Sequence, residues 1–179
     1  ISDAETRIAQ LESSVSELAA SKAQLTSELA DHESERTAAK SSIDSATAKR
    51  SEEAGVFAKE EAFHTTNINA LSEAIPAIEK GMAGSFLQTN SGRVLRQVLS
   101  RVDDNNKEVI TAFLQGGQKY GPQSGEIVGI LKQMKDDMSA DLASITETEN
   151  AAIASFNSLV AAKEKEIAAA GAAIEDKSA

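Results

Sequence analysis

The stretch that decides the fold is SGEIVGILKQMKDDMSADLASITETENAAIASFNSLVAAKEKEIAAAGAAIEDK, residues 124–177. It contains no proline and keeps an apolar stripe from end to end. Met134, Ile145, Phe156 and Ile167 recur in steps of eleven, with Leu131, Leu142 and Ile153 in the row beside them. Eleven residues in three turns is about 3.67 per turn, so such rows stay on one face of a nearly straight helix. Ser124 suits the N-cap, and Glu126 places a carboxylate in the first turn, where the helix dipole favours it. A helix of this length runs about 80 Å. Its stripe needs another long helix as a partner.

That partner precedes it. In residues 2–31, Ile8, Leu11, Val15, Leu18, Leu25 and Leu29 occupy a and d positions of a coiled-coil seam that only Lys22 interrupts. The same frame passes through His32, Arg36, Ala39, Ile43, Ala46 and Arg50, where the seam is thin and polar. Bulky side chains return at Val56, Phe57, Phe63, Ile68, Leu71, Ile75, Ile78 and Met82. No glycine or proline appears before Gly55, which favours one continuous helix over residues 2–80. The alternative is a break near residues 32–50 and a three-helix bundle. Pro76 predicts a kink, and Gly81 and Gly84 a stop.

Residues 81–123 read differently. Seven punctuating residues, from Gly81 and Gly84 through Gly92, Gly116 and Gly117 to Gly121 and Pro122, bracket two short amphipathic helices. The first, near 92–102, presents Val94, Leu95, Val98, Leu99 and Val102. The second follows an Asp103-Asp104-Asn105 cap and carries Val109, Ile110, Phe113 and Leu114. With Phe86, Leu87 and Tyr120 they form a small helical head. The expected architecture is all-α: an elongated antiparallel helical hairpin, with residues 1–80 as the long N-terminal coiled-coil helix, 81–123 as the head, and 124–179 as the long C-terminal helix packing back on the first. Leu131, Met134, Met138, Leu142, Ile145, Ile153, Phe156 and Ile167 are its intrachain seam.

The two long helices differ in length by about 26 residues, or about 40 Å. Pairing outward from the head therefore leaves the strongest heptads, Ile8 to Leu29, without an internal partner. Leaving apolar surface in water costs about 25 cal/mol per Å², so these residues are expected to bind another chain.

Composition narrows the function. Aromatics are 3% and tryptophan is absent, which suits exposed helices with narrow seams better than a thick core. The net charge of −10 argues against nucleic acid, whose phosphates need lysine and arginine. The absence of cysteine excludes disulfides and thiolate metal sites. No apolar run reaches the roughly 20 residues of a membrane span. The chain starts at Ile1, and Asp3, Glu5, Arg7 and Glu12 in residues 1–15 do not form a signal peptide; a processed or partial chain is expected.

Catalysis has little support, and an enzyme is the third reading. No P-loop, dinucleotide fingerprint or Ser-His-Asp grouping is present. His32 and His64 fall on or beside the seam frame, where polar residues set register or lie exposed. Asp103-Asp104 reads as a cap. Asp136, Asp137, Asp141, Glu147 and Glu149 read as a solvated face without calcium-loop spacing. No cofactor is expected. Weak Ca²⁺ binding shared between packed acidic chains is compatible with the charge, without an assignable site. The stretch 116–125 reads either as a binding loop or as a flexible connection ending in a helix cap, with Tyr120 as the one residue there able to anchor a contact.

Three stretches carry a family resemblance: AIEKGMAGSFLQ (77–88), GPQSGEIVGILKQMK (121–135) and AAKEKEI (161–167). Through them the chain resembles acidic, Ala/Glu/Lys-rich coiled-coil proteins of dinoflagellates. Through those it resembles the trichocyst matrix proteins of alveolates. The resemblance implies an acidic helical polypeptide cut from a precursor and packed into a crystalline rod in a secretory vesicle. It implies expansion on discharge in a Ca²⁺-dependent way, with no catalytic motif. The expected role is structural: self-assembly through coiled-coil packing into a filament or crystalline lattice, with the chain itself or close homologues as partners. The expected location is the secretory vesicle, and outside the cell after discharge. The alternative is a non-catalytic adaptor or linker subunit of a larger complex.

Overall fold

A computed structural model describes residues 2–99 and 124–178. Among them all regular structure is helical: α1 (Ser2–Glu79), α2 (Ala83–Phe86), α3 (Asn90–Leu99) and α4 (Ser124–Ser178). The expected second head helix, with Val109, Ile110, Phe113 and Leu114, lies outside the described residues, as do Val102, the Asp103-Asp104-Asn105 cap and Tyr120.

α1 is one helix through the thin stretch at 32–50 and through Pro76. Its seam frame never slips. Alternating steps of three and four lead from Ile8 to Ile78, and from Leu29 onward every frame position except Glu60 is buried or half-buried. Such a run of uninterrupted heptads keeps one face of α1 turned to its partner. The helix ends in a Schellman motif. Gly81 takes φ +72, its N–H donates to Ile78 O at 2.9 Å, and the Met82 N–H donates to Ala77 O at 2.8 Å. A left-handed residue at that point favours glycine. Gly84, expected to share the stop signal, instead lies inside α2.

The chain divides into two compact units: Glu52–Ala152, and Ile1–Ser51 with Ile153–Ala179. In both, α1 and α4 lie side by side and antiparallel, the helical hairpin expected from the two long stripes.

The unit of residues 52–152 holds the apolar core. Leu71, Ala74, Ile75 and Ile78 of α1 pack with Ala83, Phe86 and Leu87, with Leu95 and Leu99 of α3, and with Ile127, Val128 and Leu131 of α4. α3 begins at Asn90, two residues earlier than its glycine suggested. Thr89 supplies the cap: its Oγ1 accepts the Gly92 N–H at 3.1 Å and donates to Phe86 O at 2.7 Å. Gly92 is needed for closeness, since a Cβ there would stand 2.4 Å from Phe86 O and 2.7 Å from Leu87 Cα.

Asn67 occupies a seam position in the same unit. It is 4% exposed, and its Nδ2 has no hydrogen-bond partner. A buried unpaired amide costs about 1–3 kcal/mol. Asn67→Leu is therefore expected to raise the unfolding free energy by about that amount, measured as a higher urea midpoint at unchanged m-value. A lower midpoint would contradict it.

The other unit has a thinner interior. Ala39 of α1 and Ala170 of α4 are its buried apolar residues, at 3% and 5% exposure. Arg36 and Arg50 of α1 and Lys163 of α4, each half-buried, occupy seam positions there. Stems of long charged side chains can cover apolar surface while their heads stay wet.

Candidate assembly surface

In the unit of residues 1–51 and 153–179, burial along α1 begins at Glu28 and Leu29; every described residue before them is exposed. Ile8, Leu11, Val15 and Leu18 are 55–69% exposed, Leu25 is 39% exposed, and Leu29 is half-buried. A helix turns about 100° per residue, so positions three and four apart line one stripe. Ile8, Leu11 and Val15, with the flanking Glu12, Ser16 and Ala19, line a shallow apolar groove. Large apolar side chains in an unbroken row differ from the singly scattered ones normal on a soluble surface.

The covered part of the seam is closed at its end by an ion pair. Lys177 Nζ of α4 donates to Glu28 Oε2, and Gln24 Nε2 donates to Glu28 Oε1 at 2.8 Å. The hydrogen bond from Lys177, then that from Gln24, hold the Glu28 carboxyl below its usual value of 4.5. A carboxyl that loses its proton more readily folded than unfolded contributes stability above its unfolded value. That contribution is lost as pH falls through the depressed folded value. Lys177→Gln is therefore expected to move the Glu28 titration, followed by carboxyl-carbon NMR, back up towards 4.5. An unchanged midpoint would show that the pair does not form.

Further along, a groove between the helices is lined by His32, Glu35, Glu166, Ala169 and Ala170. Its charges are engaged: His32 Nδ1 pairs with Glu35 Oε2 at 3.1 Å, and Lys163 Nζ donates to both Glu166 oxygens at 2.7 and 3.0 Å. Among the described residues no group of three or more His, Asp or Glu is placed to hold a metal ion. Asp136, Asp137, Asp141 and Glu147 lie exposed, whereas Glu149, read as part of the same solvated face, is half-buried.

On α4, Leu131 is 1% exposed, and Met134, Met138, Leu142, Ile145, Phe156 and Ile167 are half-buried. Ile153 departs from the expected seam at 41% exposure. The covered line of α4 steps by fours and threes: Met138, Leu142, Ile145, Glu149, Ala152, Phe156, Val160, Lys163, Ile167, Ala170. It contains one extra four-residue step, at Phe156–Val160. The seam thus follows heptads with a single stutter rather than a strict eleven-residue repeat, and it passes through Ala152 where the apolar count chose Ile153. Small and charged residues at 149, 152 and 163 hid this line from a reading based on apolar side chains.

The described residues thus present two antiparallel helices and a bare heptad row at the start of α1. A family model for trichocyst matrix protein T1-F matches residues 1–179, the full chain. The chain belongs to the trichocyst matrix protein T1-F family. No curated protein and no solved structure matches it. Membership makes this a structural protein of the trichocyst matrix, as the resemblance in its sequence implied. None of its described helices is long and apolar enough to cross a membrane.

Proposed function

We propose that this matrix protein self-assembles through coiled-coil packing into a filament or crystalline lattice, with the exposed heptads of α1 as the adhesive surface. The observation that carries this is the change along one seam. The frame that α4 covers from Leu29 onward continues in step to Ile8, and along it Ile8, Leu11, Val15 and Leu18 stand more than half exposed. The partners are further copies of the chain or close homologues. The site is a secretory vesicle, and the extracellular space after discharge.

Close packing of chains of net charge −10 needs counter-ions. Divalent cations bridging acidic faces, Ca²⁺ foremost, would fill that role weakly and between molecules. Light scattering of the purified 179-residue chain tests the proposal. Scattering should rise with protein concentration and rise further with millimolar Ca²⁺. A chain that stays monomeric at high concentration, with and without Ca²⁺, would overturn it and favour an adaptor that waits for a different partner.

A further inference from the structure

We infer that the occupant of the exposed seam is the same segment of a second copy, laid antiparallel about a two-fold axis, with Val15 of each copy against the partner's Leu18. This rests on the assembly reading above and adds the partner, direction and register of its first step: a two-fold contact closes as a dimer, and growth beyond the dimer falls to the cation-bridged acidic faces.

Direction follows from what α4 already occupies. From Leu29 onward the seam face of α1 is covered by α4, which runs antiparallel to it and brings Lys177 to Glu28. A parallel, in-register partner would carry its own residues 29–50 along that covered face and collide with α4. An antiparallel partner approaches from the far end. Its residues 5–28 run in the same direction as α4 and take over the seam where α4 stops, and the rest of the partner extends past the N-terminal turn of α1. The seam frame shows no slip on either side of Leu29, so the new contact is continuous with the internal one.

Register follows from the same limit. The alignment that pairs Ile8 with the partner's Leu25, Leu11 with the partner's Lys22, and Val15 with the partner's Leu18 uses every bare heptad position once. A shift of one heptad inward would push the partner's Leu11 against Leu29, on ground α4 holds. A shift of one heptad outward would set Leu25 against the partner's Ile1, outside α1, and shorten the overlap of the two helices by about seven residues.

Charge agrees. The antiparallel alignment sets Lys22 against the partner's Leu11, one residue along from the partner's Glu12, and Arg7 near the partner's Glu28. A parallel alignment stacks Lys22 on the partner's Lys22, which like charges disfavour. A contact of about three heptads with a lysine in the core is weak, so a trapping experiment suits it best.

The chain has no cysteine, so introduced cysteines report alone. Ile8→Cys and Leu25→Cys, each at an exposed position, are mixed as full chains and oxidised. A disulfide needs Cα atoms about 4.4–6.8 Å apart. The mixture should yield the crossed dimer. Neither variant should link to itself, because in this alignment the two copies of residue 8 lie about 25 Å apart. Leu11→Cys with Lys22→Cys serves as a second crossed pair. Self-linking of Ile8→Cys would show a parallel contact and overturn this inference while leaving assembly intact. Assembly by light scattering without crossed linking in either pair would do the same. No linking in any mixture, together with a monomer in sedimentation, would remove the assembly reading as well.

Discussion

Replacing Leu71 by alanine is expected to lower the unfolding free energy by about 2–5 kcal/mol. Leu71 is fully buried, at 0% exposure, in the one cluster where all four described helices contribute side chains. Its neighbours there include Leu95 at 0%, Leu131 at 1% and Ile127 at 2%. Truncation to alanine removes three carbons and leaves a void that rigid helices cannot close. The loss is therefore the transfer free energy plus a cavity contribution. Urea unfolding followed by circular dichroism measures it, and a change within about 0.5 kcal/mol, the size usual for surface positions, would contradict the core assignment. The same truncation at Leu11, 55% exposed, should leave a monomer's stability within that narrow range.

The second large effect lies at the other end of α1 and concerns association. Leu11→Glu combined with Leu18→Glu is expected to abolish assembly while α1 and α4 stay paired. Each chain loses two leucines from the bare stripe, so a two-chain contact loses four. At about 1.5 kcal/mol or more per buried leucine this is about 6 kcal/mol, roughly ten-thousandfold in the association constant. The new carboxylates also resist burial. Sedimentation velocity should show a monomer at concentrations where the parent chain grows. Because both positions are exposed, helix content and urea midpoint should match the parent. Undiminished assembly of the double variant would place the adhesive surface elsewhere.

The two substitutions separate the roles of one helix. Near Leu71 the seam is a core, and its loss unfolds. Near Leu11 the seam is bare, and on the proposed assembly its loss isolates the chain. Between them lies a thin stretch where Ala39 and the stems of Arg36 and Arg50 keep the frame in register with little apolar area. Such a stretch contributes direction more than stability.

Much of this was legible in the residues. The heptads from Ile8 to Leu29, the absence of breakers before Gly55, the stop at Gly81 and the paired stripe on α4 all act within a turn or two of helix. Local periodicity and backbone chemistry therefore suffice to place them. The surplus length of α1 followed from counting. Other features were not legible. Thr89 as the α3 cap, Gly92 as the point of close approach, and the half-buried Glu149 depend on what stands opposite them in space. Ile153 shows the limit most plainly: its spacing matched a repeat of eleven, yet the covered line runs through Ala152.

The sequence by itself determined that this protein is all-α and that its long helices carry seams. Those properties are written in side chains three and four apart. Only the tertiary structure decided where along α1 the cover begins, at Glu28 and Leu29, and which α4 positions provide it. Coverage depends on how far an antiparallel helix reaches along its partner, and Lys177 meeting Glu28 is where that reach ends.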